Sequence, residues 1–486
     1  MTSTPNSERS LSARVLTGSA WIIASQGAIL LLVFLAQRLI LSTLTKEENG
    51  TLFFERRMTD LIVGIMVDLG INGILIRRIV QEKERAPQII SSAIVLRLGM
   101  WGMATAISAS YAYFSGYAVV DVIVWSIYLL IAARTTMLRY AVEAPYRSTS
   151  RFHVVSLLGI ADALLFTGMI WWWQQSLDVY TVILAYMISA IPGFVILVAL
   201  DRGRFIRPAF VRFSEMKALL TESMPVIASV ALLALHASLD TILLEWFGTP
   251  RDVGVLGAIY ASMGPFLVVV PQAVSLAVMP EIARTHSDES KRRTDVALTV
   301  LRMLIVATVL LVCVSGPLIP KFINLVSNGR YAAEGVQFYW FLWTAPLVAI
   351  LVFSQEFAVT VGKQRFNLVI AGVLLAFSII FGLAFIPSLN SLGAVYSRLA
   401  TLIAGAGICI IILRRILGEQ LDLLFVIRCC TVIASGIAGT TWLMDVLPVP
   451  AAIIGSCAVV MISAFATGLV RKADVVLFTK ILRRSH

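Results

Sequence analysis

The stretches TKEENGTL (Thr45–Leu52) and TPRDVGVL (Thr249–Leu256) are two copies of one short polar pattern, far apart in the chain. Each begins with threonine, carries charges of both signs, and places a glycine, Gly50 or Gly254, at the same distance from the threonine. Almost all of the sequence between them is apolar. A polar turn repeated within an apolar chain is typical of an internal repeat in a membrane protein.

The composition predicts that lipid is the solvent of this chain. Of its 486 residues, 59% are apolar and only 14% are charged, whereas ordinary soluble domains carry roughly a quarter charged residues. A soluble fold of this length could not hide so much apolar surface, because its own surface must meet water. The sequence therefore predicts an all-α polytopic membrane protein.

Apolar runs of about 20 residues, long enough to cross a bilayer as helices, recur through the chain and predict about 14 transmembrane helices. The predicted spans are roughly 17–41, 51–76, 88–114, 118–140, 153–174, 179–200, 218–246, 254–282, 296–319, 336–361, 367–387, 392–413, 421–443 and 449–470.

Lys and Arg are concentrated in alternate connections of this map, as the positive-inside rule requires. Two of the basic connections hold Arg77, Arg78, Lys83 and Arg85, and then Arg139, Arg147 and Arg151. The alternation places both termini in the cytoplasm and the protein in the inner or plasma membrane. Topology thus explains the net charge of +11; membrane lipids are expected partners and nucleic acid is not. The aromatic run FYWFLW (Phe338–Trp343) is interpreted as an interfacial belt in preference to a sugar-stacking surface.

The two similar turns lie six predicted spans apart, in equivalent connections of two six-helix bundles. Because six is even, both bundles enter from the same side and form a parallel repeat, which usually holds a substrate between its halves and works by alternating access. The predicted organisation is a cytoplasmic N-terminal tail (1–16), an N-terminal six-helix bundle (17–213), a C-terminal six-helix bundle (214–418), an appended C-terminal helix pair (419–470) and a basic cytoplasmic tail (471–486).

The second predicted span carries an unusual cluster of charges near its outer end, namely Glu55, Arg56, Arg57 and Asp60. Ionisable groups inside a membrane are costly and normally face a cavity or one another. Arg56 and Arg57 precede Asp60 by four and three residues, so either can pair with it on one helix. Two interpretations stay open: a self-neutralised cluster at a wet outer rim, or a cationic lining that binds an anionic substrate.

Four further arginines are candidates for substrate contact, namely Arg38, Arg97, Arg134 and Arg302. Arg398 also lies within a predicted span, but its helix face is not determined by the sequence. Arg97 lies about 14 Å into its span and is the best cavity candidate. Arg134 and Arg302 can instead snorkel to the cytoplasmic headgroups. Guanidinium stays charged when desolvated and binds phosphate oxygens in pairs, so the set favours a phosphate-bearing substrate over a cationic drug.

His236 and Asp240 are spaced four residues apart in the seventh predicted span and share a helix face. Such a pair can relay a proton or bind Na⁺ and so couple transport to an ion gradient. Asp60 is a third candidate for ion coupling or charge balance. A structural hydrogen bond between helices is the alternative for the His236 and Asp240 pair.

Six stretches in order along the chain carry a resemblance to a known family: TKEENGTL, VDLGINGILIRR, DTILLEWFGTPRDVGVLGAIYASM, VMPEIAR, NGRYAAEGVQFYWFLW and SLGAVYSRLATLI. Together they resemble polysaccharide or O-antigen flippases of the multidrug/oligosaccharidyl-lipid/polysaccharide (MOP) exporter superfamily. Leu256 departs from the family pattern, which commonly has an aromatic residue there.

The resemblance implies that the protein flips a polyprenyl-diphosphate-linked oligosaccharide from the cytoplasmic to the outer leaflet for surface polysaccharide biosynthesis, such as that of O-antigen and lipopolysaccharide. H⁺ or Na⁺ coupling and contact with other polysaccharide assembly proteins would follow. The sequence contains neither a G-x-x-x-x-G-K-[ST] nor an H-E-x-x-H motif, so a transporter without cofactor or metal is expected rather than an enzyme. A drug or small-molecule antiporter of the same superfamily is the main alternative. A membrane-embedded glycan polymerase or glycosyltransferase is less favoured, because the sequence has no D-x-D motif.

Overall fold

The structure is a computed structural model that describes residues 5–68, 71–114, 116, 118–120, 123–124, 139–148, 152–284, 290–363, 365–417, 421, 423–471 and 474. All regular secondary structure in these ranges is helical, which confirms the predicted fold class. The chain divides into two compact units, unit 1 (Met1–Ser238) and unit 2 (Leu239–His486).

The helices described in unit 1 are α1 (Pro5–Thr43), α2 (Lys46–Val63), α3 (Ile71–Gln81), α4 (Ala86–Phe114), α5 (Arg139–Ser148), α6 (Phe152–Trp172) and α7 (Val179–Asp201), followed by α8 (Phe213–Phe247), which continues past the unit boundary. A π-helical turn, Gly64–Asp68, follows α2, and a 3₁₀ turn, Lys83–Arg85, precedes α4.

Apolar clusters hold the described helices of unit 1 together, and two of them are large. One joins α3, α4, α5 and the start of α8 and includes Leu75 and Ile90, which are fully buried. The other joins α1, α2, α6 and α7 and includes Ile40 and Phe166. Leucines on the opposite helix faces stay exposed, for example Leu164 at 53%, as lipid-facing side chains of a membrane helix would.

The helices described in unit 2, after the end of α8, are α9 (Pro250–Arg284), α10 (Ser290–Ser315), α11 (Ile319–Ser327), α12 (Gly335–Leu342), α13 (Ala345–Thr360), α14 (Arg365–Leu417), α15 (Leu423–Val446) and α16 (Val449–Ala466). Helix α13 packs against α9, α10 and α14, and α15 pairs with α16. Gly436 brings α15 against Val309 of α10, so the C-terminal helix pair is attached to unit 2 at α10.

Helix α14 has 53 residues and would be about 80 Å long if straight, far more than the roughly 30 Å of a hydrocarbon core. Asn390 breaks it, because its φ of 50° and ψ of −127° are not helical. At Gly393 a Cβ atom would clash with the backbone carbonyl of Phe385, so only glycine fits this close approach. The break agrees with the two separate spans predicted here, 367–387 and 392–413.

The repeated polar turn of the sequence forms the same structure twice. Thr45 caps α2: its hydroxyl accepts the backbone N–H of Glu48 at 3.1 Å, and the Glu48 carboxylate accepts the backbone N–H of Thr45 at 2.8 Å. Thr249 precedes α9 and makes the same reciprocal bonds with Asp252, at 3.3 and 3.2 Å. Both turns are capping boxes, which satisfy backbone donors that the first helical turn leaves free.

Ten helical stretches in the described ranges are long and apolar enough to cross a membrane. Helix α14 counts once among them despite its break. Most of the predicted span 118–140 lies outside the described residues, so the number of about 14 and the domain boundaries stay predictions.

Candidate substrate and ion sites

The charged part of α2 lies against α7 within unit 1. Arg56 donates from Nη1 to the hydroxyl of Tyr186 at 2.8 Å. Its guanidinium carbon is also 5.2 Å from the centre of the same ring, a cation–π distance. Tyr186 in turn stacks on Phe166 with ring centres 4.2 Å apart. Arg56 is thus fixed by an aromatic support and still exposed at its other face.

The other charges of α2 differ in exposure. Asp60 is exposed, and Glu55 and Arg57 are half-buried. The guanidinium of Arg57 lies 5.1 Å from the centre of the Phe53 ring. Aromatic rings therefore support both arginines of this cluster. Asp60, one turn further along the helix, has an exposed side chain.

The four additional arginine candidates fall in different environments. Arg97, on α4, is completely buried, whereas Arg38, near the end of α1, is exposed. Arg134 lies outside the described residues. Arg302 of α10 is half-buried and contacts Asp474, with Nη1 at 3.4 Å from Oδ2. The same carboxylate accepts from Thr299 and from the backbone N–H of Arg471, both at 2.9 Å. Arg302 therefore ties α10 to the C-terminal segment.

A buried ion cluster in unit 1 includes two carboxylates that the sequence analysis did not select. Arg139, at the start of α5, donates 2.7 Å to Glu143 and also contacts Asp162 of α6. Arg139 and Glu143 are buried and Asp162 is nearly so. The backbone of α7 approaches Asp162 closely at Gly193, where a Cβ would meet the carboxylate oxygens. Arg139 is thus a structural counter-ion of this cluster, although the sequence places it among the cytoplasmic cations.

Asp240 has neutral partners in unit 2. The Tyr260 hydroxyl of α9 donates to its Oδ2 at 2.5 Å, and the backbone N–H of Thr241 donates to its Oδ1 at 2.8 Å. Arg398, beyond the break in α14, places its guanidinium carbon 5.9 Å from the centre of the Tyr260 ring. His236, four residues before Asp240 on α8, is buried as well.

A second ionic network lies in unit 1 where α3 ends and α8 begins. Arg78 contacts Glu82 at 3.1 Å and Glu215 at 2.9 Å, and Arg85 contacts the same two carboxylates. The hydrogen bond from Arg78 holds the pKa of Glu82 below the usual glutamate value, against the opposing effect of its burial. Arg78 also lies 3.8 Å from Glu222, which pairs with Arg77 at 2.6 Å, so the network includes both.

One of the two missed carboxylates had a usable signal. Asp162 is a lone acid inside the apolar run GIADALLF (Gly159–Phe166), and a charge in such a run needs a partner. Tyr260 and Asp474 carried no comparable signal, since their roles depend on helices far apart in sequence. In the part of the chain that the structure describes, no group of three His, Cys, Asp or Glu side chains is placed to hold a metal.

Comparison with solved structures agrees with this multi-pass helical architecture. The match to the lipid II flippase MurJ, in an inward closed conformation, covers 93% of this chain and 100% of that one, with a TM-score of 0.70 and 13% identity. The match to a mutant of the Vibrio cholerae MATE transporter VcmN covers 84% of this chain and 99% of that one, with a TM-score of 0.57 and 18% identity. The match to a MOP superfamily transporter from Pyrococcus furiosus covers 85% and 96%, with a TM-score of 0.60 and 13% identity.

The chain therefore has the same multi-pass helical fold as these transporters. The family model described as polysaccharide biosynthesis protein matches residues 15–286, more than half of the chain, and the chain belongs to that family. A search of curated proteins gave no match.

Proposed function

We propose that the protein flips a polyprenyl-diphosphate-linked oligosaccharide from the cytoplasmic to the outer leaflet of the cell membrane, for surface polysaccharide biosynthesis. Membership of the polysaccharide biosynthesis family supports this class of substrate. MurJ, which shares the fold, is a lipid II flippase. The observation that carries the proposal is the exposed, ring-supported guanidinium of Arg56 on α2, inside the span predicted for residues 51–76.

Arg56 and Arg57 are proposed to contact the diphosphate. A guanidinium keeps its charge when desolvated and binds phosphate oxygens through a planar fork, so its contact with a diphosphate is stronger than a point-charge contact. Tyr186 and Phe53 restrict the rotation of these two side chains, which lowers the entropy lost when substrate binds. Arg38, Arg97, Arg134 and Arg302 belong to the proposal as secondary candidates, of which the buried Arg97 requires a conformational change to reach substrate.

Ion coupling is proposed for the acidic residues, by H⁺ or Na⁺. Asp60 is exposed on α2, and Asp240 is buried with a tyrosine and a backbone donor as partners. A carboxylate that gains or loses a cation within the membrane changes the electrostatic energy of its surroundings strongly. His236 is proposed as the proton acceptor or donor that accompanies Asp240.

The proposal is tested in a strain from which the gene is deleted. We expect undecaprenyl-linked glycan to accumulate on the inner leaflet, as measured by its protection from a membrane-impermeant reagent that labels sugars. Restoring the wild-type gene should return the glycan to the outer leaflet. Glycan that reaches the outer leaflet at the normal rate in the deletion strain would exclude the proposed function.

A pair of variants then tests the cationic contact. Arg56→Gln should lower the export rate by about 10- to 100-fold, since a hydrogen bond to a charged group contributes about 1.5–3 kcal/mol. Arg251→Gln is the matched control, because Arg251 is an exposed arginine in the first turn of α9. Equal export by both variants would remove Arg56 from the site.

A deletion strain that loses drug resistance and keeps glycan export would favour the drug antiporter instead.

A further inference from the structure

The connection between α7 and α8 in unit 1 is rich in arginine. Its sequence, RGRFIRPAFVRF (residues 202–213), contains no lysine and no acidic residue. Four of its side chains, which we call the connection arginines, are exposed: Arg202, Arg204, Arg207 and Arg212. None of the four forms an ion pair with any residue that the structure describes. The connection therefore presents a concentrated positive charge at the surface of the unit.

The acidic side chains on either side of the connection do not compensate this charge. Glu215, in the first turn of α8, is buried and pairs with Arg78 at 2.9 Å and with Arg85. Asp201, at the end of α7, is also buried, and its carboxylate accepts the backbone N–H of Phe205 at 3.1 Å. Both carboxylates are thus engaged by other groups, and the connection arginines keep their full charge at the surface.

Hydrogen bonds fix the backbone of the connection in one shape. The hydroxyl of Ser91, on α4, donates to the carbonyl of Phe205 at 2.7 Å and accepts the backbone N–H of Arg207 at 3.2 Å. The hydroxyl of Ser92 accepts the backbone N–H of Arg212 at 2.9 Å. Phe205 also packs on the apolar cluster that joins α3, α4, α5 and α8. Charge alone satisfies the positive-inside rule, so this ordered backbone calls for a further explanation.

Two of the connection arginines lie against aromatic rings. The guanidinium carbon of Arg204 is 5.2 Å from the centre of the Phe205 ring, and that of Arg207 is 5.8 Å from the centre of the Phe210 ring. Both are cation–π distances. The rings restrict the two guanidinium groups, which lowers the entropy lost when a ligand binds.

Glycine at position 203 brings the charge of Arg207 close to its neighbours. Gly203 has a left-handed backbone with φ of 71°. A Cβ atom at this position would lie 3.0 Å from Nε of Arg207, so that side chain crosses over the backbone between Arg202 and Arg204. Like charges so close together repel one another. An anion bound among them would remove this repulsion.

The connection lies at the depth of the lipid headgroups. The candidate membrane span in α7 ends at Asp201, so Arg202 follows it directly. Phe213, at the other end of the connection, is 79% exposed, as suits an aromatic side chain that enters the interface. Tyr186, which contacts Arg56, lies about 22 Å back along α7 at 1.5 Å per residue. The connection is therefore separate from the proposed substrate contacts.

We propose that the connection arginines bind the phosphodiester headgroup of an anionic phospholipid in the cytoplasmic leaflet, with Arg204 and Arg207 as its main contacts and Phe213 among its acyl chains. The predicted topology places this connection on the cytoplasmic side, where anionic phospholipids supply phosphate groups at this depth. Guanidinium forks bind phosphate oxygens in pairs. The bound phospholipid is a resident of the membrane and differs from the transported substrate.

The test measures binding of short-chain phosphatidylglycerol to the full-length protein in detergent, with phosphatidylcholine of the same chain length as the neutral probe. The wild type should bind phosphatidylglycerol about tenfold more tightly than phosphatidylcholine. A double variant, Arg204→Gln with Arg207→Gln, should lose this preference. Arg204→Lys with Arg207→Lys keeps the charge and should bind phosphatidylglycerol about threefold more weakly than the wild type, because lysine lacks the planar fork.

Arg414→Gln with Arg415→Gln is the matched control, because it removes two exposed arginines from the last turn of α14. It should keep the wild-type preference, and melting temperatures should show that every variant is folded. Equal losses in the two double-glutamine variants would reduce the effect to general surface charge and overturn the proposal, as would an undiminished preference in Arg204→Gln with Arg207→Gln.

Inorganic phosphate is the third probe. If it displaces phosphatidylglycerol at equal concentration, the site binds free anions and the phospholipid is excluded as its occupant. Undiminished phosphatidylglycerol binding by the lysine variant would overturn the role of the guanidinium fork. Each of these outcomes leaves the proposed function intact, because that function is tested by glycan export and by Arg56→Gln.

Discussion

Helices α2 and α9 begin in the same way and then diverge. Each follows a threonine capping box, Thr45 with Glu48 and Thr249 with Asp252. Counted from the threonine, the same position is occupied by Arg56 in α2 and by Tyr260 in α9. Arg56 contacts a tyrosine of α7, and Tyr260 contacts an arginine of α14. The two units therefore place an arginine–tyrosine pair at a matching point, with the residue types exchanged.

The buried carboxylates of the two units differ in a related way. Asp162 of unit 1 is held by the charge of Arg139, whereas Asp240 of unit 2 is held by a hydroxyl and a backbone N–H. An ion pair of this kind depends on both charges being present, because either alone would be stranded in a low dielectric. The comparison teaches that the two units share the capping turn that starts α2 and α9, and that the polar contacts of their buried carboxylates differ.

The largest loss of stability is expected in the buried ion cluster, where the charge of Arg139 compensates the charges of the carboxylates that it contacts. Arg139→Gln should destabilise the protein by about 3–5 kcal/mol, because it removes the buried guanidinium charge that Glu143 and Asp162 both contact. Tyr260→Phe should cost only about 1–3 kcal/mol, since it removes one hydroxyl donor from Asp240. The melting temperature in detergent measures both.

A triple variant, Arg139→Met with Glu143→Leu and Asp162→Leu, is the control for the ion cluster. It should melt near the wild-type temperature, because apolar residues of similar size replace a buried ion cluster with little net loss. If Arg139→Gln is no less stable than Tyr260→Phe, the proposed difference between the units is wrong.

The exchanged pair gives the next largest effect. Arg56→Tyr and Tyr186→Arg should each lower the stability of unit 1 by about 1–2 kcal/mol, through the lost cation–π contact and hydrogen bond. The double variant has tyrosine on α2 and arginine on α7, which is the arrangement that Tyr260 and Arg398 have in unit 2. Its loss of stability should therefore be smaller than the sum of the two single losses. A double-mutant cycle measures this coupling; strictly additive losses would contradict the equivalence of the two pairs.

The capping boxes test the similarity of the units. Thr45→Ala and Thr249→Ala should each cost about 1 kcal/mol, and by nearly equal amounts, because each removes the same acceptor from the first turn of a helix. Thr45→Ser and Thr249→Ser keep the hydroxyl and should cost little. A large loss at one site and none at the other would show that the two turns are equivalent in sequence and hydrogen bonding but not in energy.

The smallest effect concerns pH. The folded-state pKa of Glu82 is lowered, so its ionised form stabilises the protein above the usual glutamate pKa of about 4.3. That stabilisation is lost as pH falls through the lowered value. Glu82→Gln should therefore melt below the wild type at pH 6, and the two curves should converge as the pH is lowered past 4. Curves that stay parallel would show that Glu82 does not titrate with folding.

The sequence predicts the helical fold well because apolar runs of membrane length are a strong physical signal. The structure agrees with the prediction of two separate spans, because α14 breaks at Asn390 between them. It also shows that the two repeated polar turns are capping boxes. Side-chain partners were less predictable. Arg302 pairs with Asp474, which is 172 residues away in sequence, and Arg139 pairs with an aspartate on another helix. Sequence spacing reports neighbours on one helix, whereas these contacts depend on how separate helices pack.

The contact between Arg302 and Asp474 has a practical consequence for experiments on the carboxyl end. A chain cut after Val470 would remove the carboxylate that contacts that guanidinium, and with it the side-chain partner of the Thr299 hydroxyl. Such shortening would strand a cation beside α10 and loosen the point where the last two helices join the rest of unit 2.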